Sequence, residues 1–295
     1  MSFLKQGAGE SDKVGMYFTT IGIVFLSLVA GQLIVELIAV KILGYSLMNI
    51  PDTASLNLSL ALLLTPFLFV VVGLLLSVKY LHKRPILSVF TSRKSFDWKR
   101  FGFSFVIWGI IMFVFMLVSM NTGAPIEWNL DTETFIPLLL VSLFLIPIQT
   151  TAEELLFRAY LFQGFGLVFK KGWIAILLTG ILFGLLHGAN PEVAKLGNIL
   201  LLFYIGTGIF MGLITHMDDG IELSMGYHAV NNIFASLILT NDWQAFHTDA
   251  MYIDRSEPIF GMESFLTILV LQPLLIILFS KVYRWKNWKK KLLNL

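Results

Sequence analysis

The chain has 295 residues, 57% of them hydrophobic and only 14% charged, with a formal net charge of +2 and no cysteine. A soluble domain carries about 25% charged residues, so this composition points to lipid as the solvent. The small net charge and the lack of a dense basic stripe argue against nucleic acid. The missing cysteines exclude disulfide frameworks, thiolate metal sites and a cysteine nucleophile.

A membrane-spanning helix needs roughly 20 largely apolar residues. Eight segments qualify as candidates: approximately Met16–Leu43, Leu56–Leu81, Phe101–Met120, Phe135–Phe162, Trp173–Gly188, Asn198–Thr215, Ile221–Leu239 and Phe265–Tyr283. The expected fold is therefore an all-α polytopic transmembrane bundle of about eight spanning helices, a single integral membrane domain over residues 1–295. The first run is longer than the roughly 7–15 residues of a signal-peptide core, so it reads as a helix that stays attached. Its Gln32 and Glu36 read as interhelical glue or, in a transporter, as part of a proton path.

Lys and Arg set the orientation. With both termini cytoplasmic, the inner segments hold Lys5, Lys13, Lys79, Lys83, Arg84, Arg93, Lys94, Lys99, Arg100, Lys170, Lys171 and the basic C-terminal stretch. The outer segments then hold only Lys41, Lys195 and Arg255, together with a set of acidic residues. The stretch from Lys83 to Arg100 mixes aromatic and basic residues and reads as an inner loop, with a membrane-surface segment as the alternative.

The fourth segment carries three ionisable residues within six positions: Glu153, Glu154 and Arg158. Each costs at least about 2.5–3.5 kcal/mol at membrane depth, so all three must face protein or a wet cavity. Glu154 and Arg158 stand at i and i+4, acid first, and can neutralise each other. Glu153 lies about 100° round the helix without a local cation. A desolvated carboxylate of that kind suits a general base. Pro147, six residues upstream, removes a backbone hydrogen bond and is expected to open space beside the carboxylates.

Two further segments bring His187, with Phe183 at i−4, and His228, with Asn232 at i+4 and Asn231 one step round. A Glu, two His and an Asn from three helices can activate a water and stabilise an oxyanion. Counted at about 1.5 Å per residue from the Lys170–Lys171 turn, Glu153 and His187 reach the same depth, near 24 Å. His228 reaches only about 14 Å from Asp219, so a tilt or break is needed to bring it to the others. The remaining histidines, His82, His216 and His247, read as solvated surface residues, and Gly206, Gly208 and Gly212 as points of close helix packing.

The motifs Glu153-Glu154-x-x-x-Arg158, Phe183-x-x-x-His187 and His228-x-x-x-Asn232 resemble the three motifs of the CAAX-processing and bacteriocin-processing (CPBP, Abi) membrane proteases, over about residues 135–240. The resemblance implies an intramembrane, glutamate-dependent endopeptidase of the CAAX prenyl protease type. In it Glu153 and His187 activate the water, His228 and Asn232 stabilise the oxyanion, and Glu154 and Arg158 support the site. It implies no required cofactor and a peptide or protein substrate, lipidated or not, reached from the membrane. Three other readings stand beside it. A zinc protease would use Glu and His as ligands, although no His-Glu-x-x-His run is present. A proton-coupled transporter would use the same groups as a relay, and a non-catalytic scaffold or bacteriocin-immunity protein would use them to hold the bundle together.

Overall fold

A computed structural model describes residues 2–7, 14–46, 55–259, 261 and 265–293. Lys13 lies outside the described residues. The helices are α1 (Val14–Leu43), α2 (Leu56–Leu81), α3 (Trp98–Asn121), α4 (Thr132–Phe169), α5 (Gly172–Ala189) and α7 (Leu200–Asp218), with the short α6 (Pro191–Leu196) between the last two. Then come α8 (Glu222–Ile233), α9 (Thr267–Val282) and α10 (Trp288–Leu293). All eight expected segments are helical, and the fold is the expected all-α polytopic bundle. Among the described residues six helices, α1–α5 and α7, are long and apolar enough to cross a membrane alone.

Local chemistry sets the boundaries. The Asp97 carboxylate caps α3 by accepting from the backbone N–H groups of Lys99 and Arg100, and Asp131 caps α4 through Glu133. Asn and Asp at this position satisfy donors that a helix start leaves orphaned. The long helices leave large apolar side chains on the outside: Phe18 is 70% exposed and Phe144 67%. On a soluble protein such a surface would drive association, whereas in a bilayer it meets lipid tails.

Helix α8 is the exception that explains its own sequence. It is the least apolar of the eight segments and carries Glu222, Ser224, His228, Asn231 and Asn232, yet nine of its residues, His228 and Asn232 among them, are buried. It packs on α3 and α4 inside the bundle, with protein around it in place of lipid. Helices α5 and α7 approach closely at glycine. A Cβ on Gly208 would stand 2.8 Å from the Gly180 carbonyl oxygen, nearer than real Cβ atoms come. Gly206 makes room in the same way for Ile268 in the first turn of α9.

At one end of the bundle the turn after α7 gathers both terminal segments. The Asp219 carboxylate accepts from the backbone N–H of Phe3 at 3.1 Å and pairs with Lys291 Nζ at 2.6 Å. Beside it Asp218 pairs with Arg93 at 2.9 Å and Arg100 at 2.5 Å, and Glu222 pairs with Arg93 at 3.1 Å. The basic stretch from Lys83 to Arg100 is thus docked on the bundle through Arg93 and Arg100. Two histidines are corrected here. His82 is 1% exposed, its ring nitrogen 2.8 Å from the Tyr160 hydroxyl and 3.2 Å from that of Thr20. His216 is 5% exposed and its Nε2–H donates to the carbonyl of Lys291 at 2.7 Å. Both stand at helix ends that other chain segments cover, and neighbouring charges in sequence do not reveal such cover.

The opposite end carries a small sheet in which β1 (Ile126–Trp128) runs antiparallel to β3 (Tyr252–Asp254), and β3 runs parallel to β2 (Leu239–Thr240).

Candidate active site

Helix α4 is α-helical over Thr132–Glu154, widens to π geometry over Leu155–Leu161 and returns to α over Phe162–Phe169. The helix runs through Pro147, and the departure from α geometry begins directly after the paired glutamates. Such π segments recur at functional sites. A π turn holds more residues per turn and advances the chain less, which closes part of the depth difference between the carboxylates and His228.

Glu154 and Arg158 are fully buried side by side, Oε1 to Nη1 at 3.3 Å. The guanidinium lies 3.9 Å from the centre of the Phe183 ring, a cation–π contact supplied by α5. The same Glu154 Oε1 accepts from Nδ1–H of His228 at 2.9 Å. A carboxylate can only accept there, so Nδ1 carries the proton and Nε2 is turned to the other side. His228 Nε2 lies 3.6 Å from Glu153 Oε2 and 3.5 Å from Asn232 Nδ2. Glu153 Oε1 accepts from Gln149 Nε2 at 2.5 Å, while its Oε2, also buried, accepts no hydrogen bond. Asn232 donates to Gln149 Oε1 at 3.1 Å, and Asn231, held by Trp108 Nε1–H at 3.2 Å, donates to Asn232 Oδ1 at 3.3 Å.

His187 ends α5. Its Nδ1–H donates to the Phe183 carbonyl at 2.7 Å, which leaves the lone pair on Nε2. Its ring stacks on Tyr204 of α7, centroids 4.3 Å apart.

A cavity of about 1000 Å³ joins these groups. Gln149, Glu153, His187, His228, Asn231 and Asn232 line its polar part. A long apolar part is formed by α1 (Tyr17 to Leu28), α2, the inner turns of α4 and the end of α5, while Asn190, Glu192, Tyr204 and Gln244 add further polar lining. Rim residues Phe18, Phe25 and Leu186 are more than half exposed on the outer surface of the bundle, so the cavity wall reaches the lipid-facing side. Gln32 is exposed and neither it nor Glu36 lines the cavity.

The structure therefore brings Glu153, Glu154, Arg158, His228 and Asn232 into contact and sets His187 on the same cavity. It pairs Glu153 with His228 more directly than the depth count suggests. Sequence reasoning missed Gln149, which holds Glu153 and Asn232 together. Its signal was present: an amide at i−4 from Glu153 on the same face of an apolar run. Tyr204 carried none, because one aromatic in an apolar helix reads as packing. Among the described residues no three His, Asp or Glu side chains stand with the geometry of a metal site.

A polytopic membrane bundle with an acid–imidazole–amide cluster opening on an intramembrane cavity is the class that fold and site define. The family follows from comparison. The model of the type II CAAX prenyl endopeptidase Rce1-like family matches residues 132–234. A relative, the "Uncharacterized protein YyaK" of Bacillus subtilis (strain 168), is 31% identical over 229 residues, 76% of this chain and 74% of the relative. The chain belongs to the Rce1-like family, as the motif resemblance implies, and is a multi-pass integral membrane protein of a protease family. No solved structure matches it.

Proposed function

We propose that this chain is an intramembrane endopeptidase in which Glu153 and His187 activate the attacking water. The observation that carries the reading is Glu153, which lines the cavity while its buried Oε2 receives no hydrogen bond from the protein. In this reading Oε2 takes the proton of a water oriented by the lone pair on His187 Nε2. The oxygen attacks the peptide carbonyl carbon. In this reading both ring nitrogens of His228 carry protons: Nδ1–H is held by Glu154, and Nε2–H, together with an N–H of Asn232 aligned by Gln149, donates to the tetrahedral oxyanion. Glu153 then returns the proton to the leaving amine as the C–N bond breaks. Arg158 balances the charge of Glu154 and, over Phe183, fixes the motif of α4 against that of α5.

The long apolar part of the cavity, open to the lipid side, suits a substrate with a hydrocarbon attachment beside its scissile bond. It supports a lipidated peptide over a plain soluble one. We place both termini on the cytoplasmic side. The meeting of Phe3 and Lys291 at Asp219 puts both terminal segments at one end of the bundle, beside the basic stretch that the positive-inside rule puts there. The chain has no cysteine, so single cysteines introduced near residues 5 and 130 and probed with an impermeant maleimide test this. Modification of the first from outside intact cells overturns the assignment.

The decisive experiment is cleavage of quenched peptides, with and without an S-farnesyl cysteine, by purified protein in detergent. Wild type runs beside Glu153→Gln, each with and without a stringent chelator. Cleavage lost in Glu153→Gln and kept under chelation is the expected result. Loss under chelation favours the zinc reading. A folded wild type that cleaves nothing but moves protons into liposomes under a pH gradient favours a transporter. Biological function preserved in Glu153→Gln favours the scaffold.

A further inference from the structure

Among the described residues the His187 side chain is hydrogen-bonded at a single point, through Nδ1. Its bond to the Phe183 carbonyl comes from its own helix and leaves the ring plane free to tilt about that bond. Phe183 itself meets the ring at 51°, a tilted contact. What lies parallel to the imidazole is Tyr204, at 4.3 Å and 26°.

Tyr204 is held in turn. Its O–H donates to Glu192 Oε1 at 2.5 Å, a short bond to a carboxylate. Asn190 Nδ2 donates to the same oxygen at 2.9 Å, and the backbone N–H of Ala245 donates to Oε2 at 3.1 Å. One carboxylate thus collects donors from the turn after α5, from α7 and from the loop between β2 and β3. Asn190, Glu192, Tyr204 and Ala245 all line the cavity. A carboxylate beside apolar walls costs free energy unless its bonds are made. Glu192 makes its bonds to the one side chain stacked on His187 and to the loop that lines the cavity end.

We propose that Tyr204 and Glu192 are a positioning pair for His187, which sets the plane of the imidazole so that Nε2 is presented to the water, with Glu192 tying that alignment to the seating of the outer loop. The proposal rests on the peptidase reading above. Catalytic groups need their geometry held within roughly 10–20°, and a stacked ring fixed by a hydrogen bond supplies that restraint.

The test has two arms. In the first, steady-state kinetics on a quenched S-farnesyl-cysteine peptide compare wild type with Tyr204→Phe, Glu192→Ala, Glu192→Gln and the Tyr204→Phe/Glu192→Ala double variant. Breaking the Tyr204–Glu192 bond is expected to lower kcat about tenfold with KM within about twofold. The double variant is expected to be no slower than the slower single one, since both remove the same bond. Glu192→Gln, which keeps an acceptor, recovers most of the rate. Unchanged kcat in Tyr204→Phe, a loss confined to KM, or losses that multiply would each overturn the proposal. The second arm needs no substrate: diethyl pyrocarbonate modification of His187, read by mass spectrometry, in wild type and Tyr204→Leu. A severalfold change in rate at His187, with His247 unchanged, is expected, and an unchanged rate overturns it. If wild type cleaves nothing, or Glu153→Gln cleaves as well as wild type, the peptidase reading is what fails, and the modification arm still decides whether Tyr204 positions the ring.

Discussion

Two charged clusters sit in this bundle, and they are built on opposite principles. The one at the end of α7 sets Asp218, Asp219 and Glu222 against Arg93, Arg100 and Lys291, each carboxylate in an ion pair, and Trp285 Nε1–H adds a bond to Asp218 at 2.9 Å. It closes on itself and holds both terminal segments. The one in the cavity has a single arginine for two adjacent glutamates, a histidine between the carboxylates, and one oxygen of each glutamate, Glu153 Oε2 and Glu154 Oε2, with no hydrogen bond; of the two residues, Glu153 lines the cavity. Charge in a mainly apolar bundle marks both. Only unspent hydrogen-bonding capacity facing an open cavity separates a chemical site from a lock.

That contrast can be broken most sharply at Glu153. Glu153→Gln keeps the size and an oxygen that can still accept from Gln149 Nε2. It is expected to lower turnover by about 10²–10⁴-fold with little change in the thermal melt, and the peptide assay beside a melting curve in detergent checks it. Arg158→Met should act through stability. It strands Glu154 in a fully buried position, at a cost of about 3–5 kcal/mol, seen as a large fall in denaturant midpoint. A melt as high as wild type would show that His228 alone satisfies Glu154.

Asp218→Asn sharpens the other side. It removes the charge shared by Arg93 and Arg100, whose side chains are 23% and 19% exposed, so solvent screening keeps the loss near 1–2 kcal/mol. Turnover per folded molecule should stay at the wild-type level, and a specific loss of kcat would place this cluster in the mechanism. The smallest effect is expected for Arg255→Ala. Its pair with Glu127 spans 3.4 Å, with side chains 47% and 62% exposed, and the melt should shift by less than the scatter between preparations.

Much of this was readable along the chain, because hydropathy is a local sum and lipid demands some 20 apolar residues in a row. The eight helical segments and the i,i+4 relations of Glu154 with Arg158 and of His228 with Asn232 follow from spacing alone. So does the expectation that charges inside a span must face protein. Contacts between segments far apart in the chain were not readable. That His228 binds Glu154 through one nitrogen and faces Glu153 with the other depends on how α8 seats against α4. That Gln149 bridges Glu153 to Asn232, and that Tyr204 lies flat on His187, depends on the same packing. His82 and His216 look solvated in sequence because their neighbours are charged, yet Tyr160 and the C-terminal segment cover them. Periodicity tells which face of a helix is polar. Which partner meets that face is set by close packing between helices, and no residue carries that information alone.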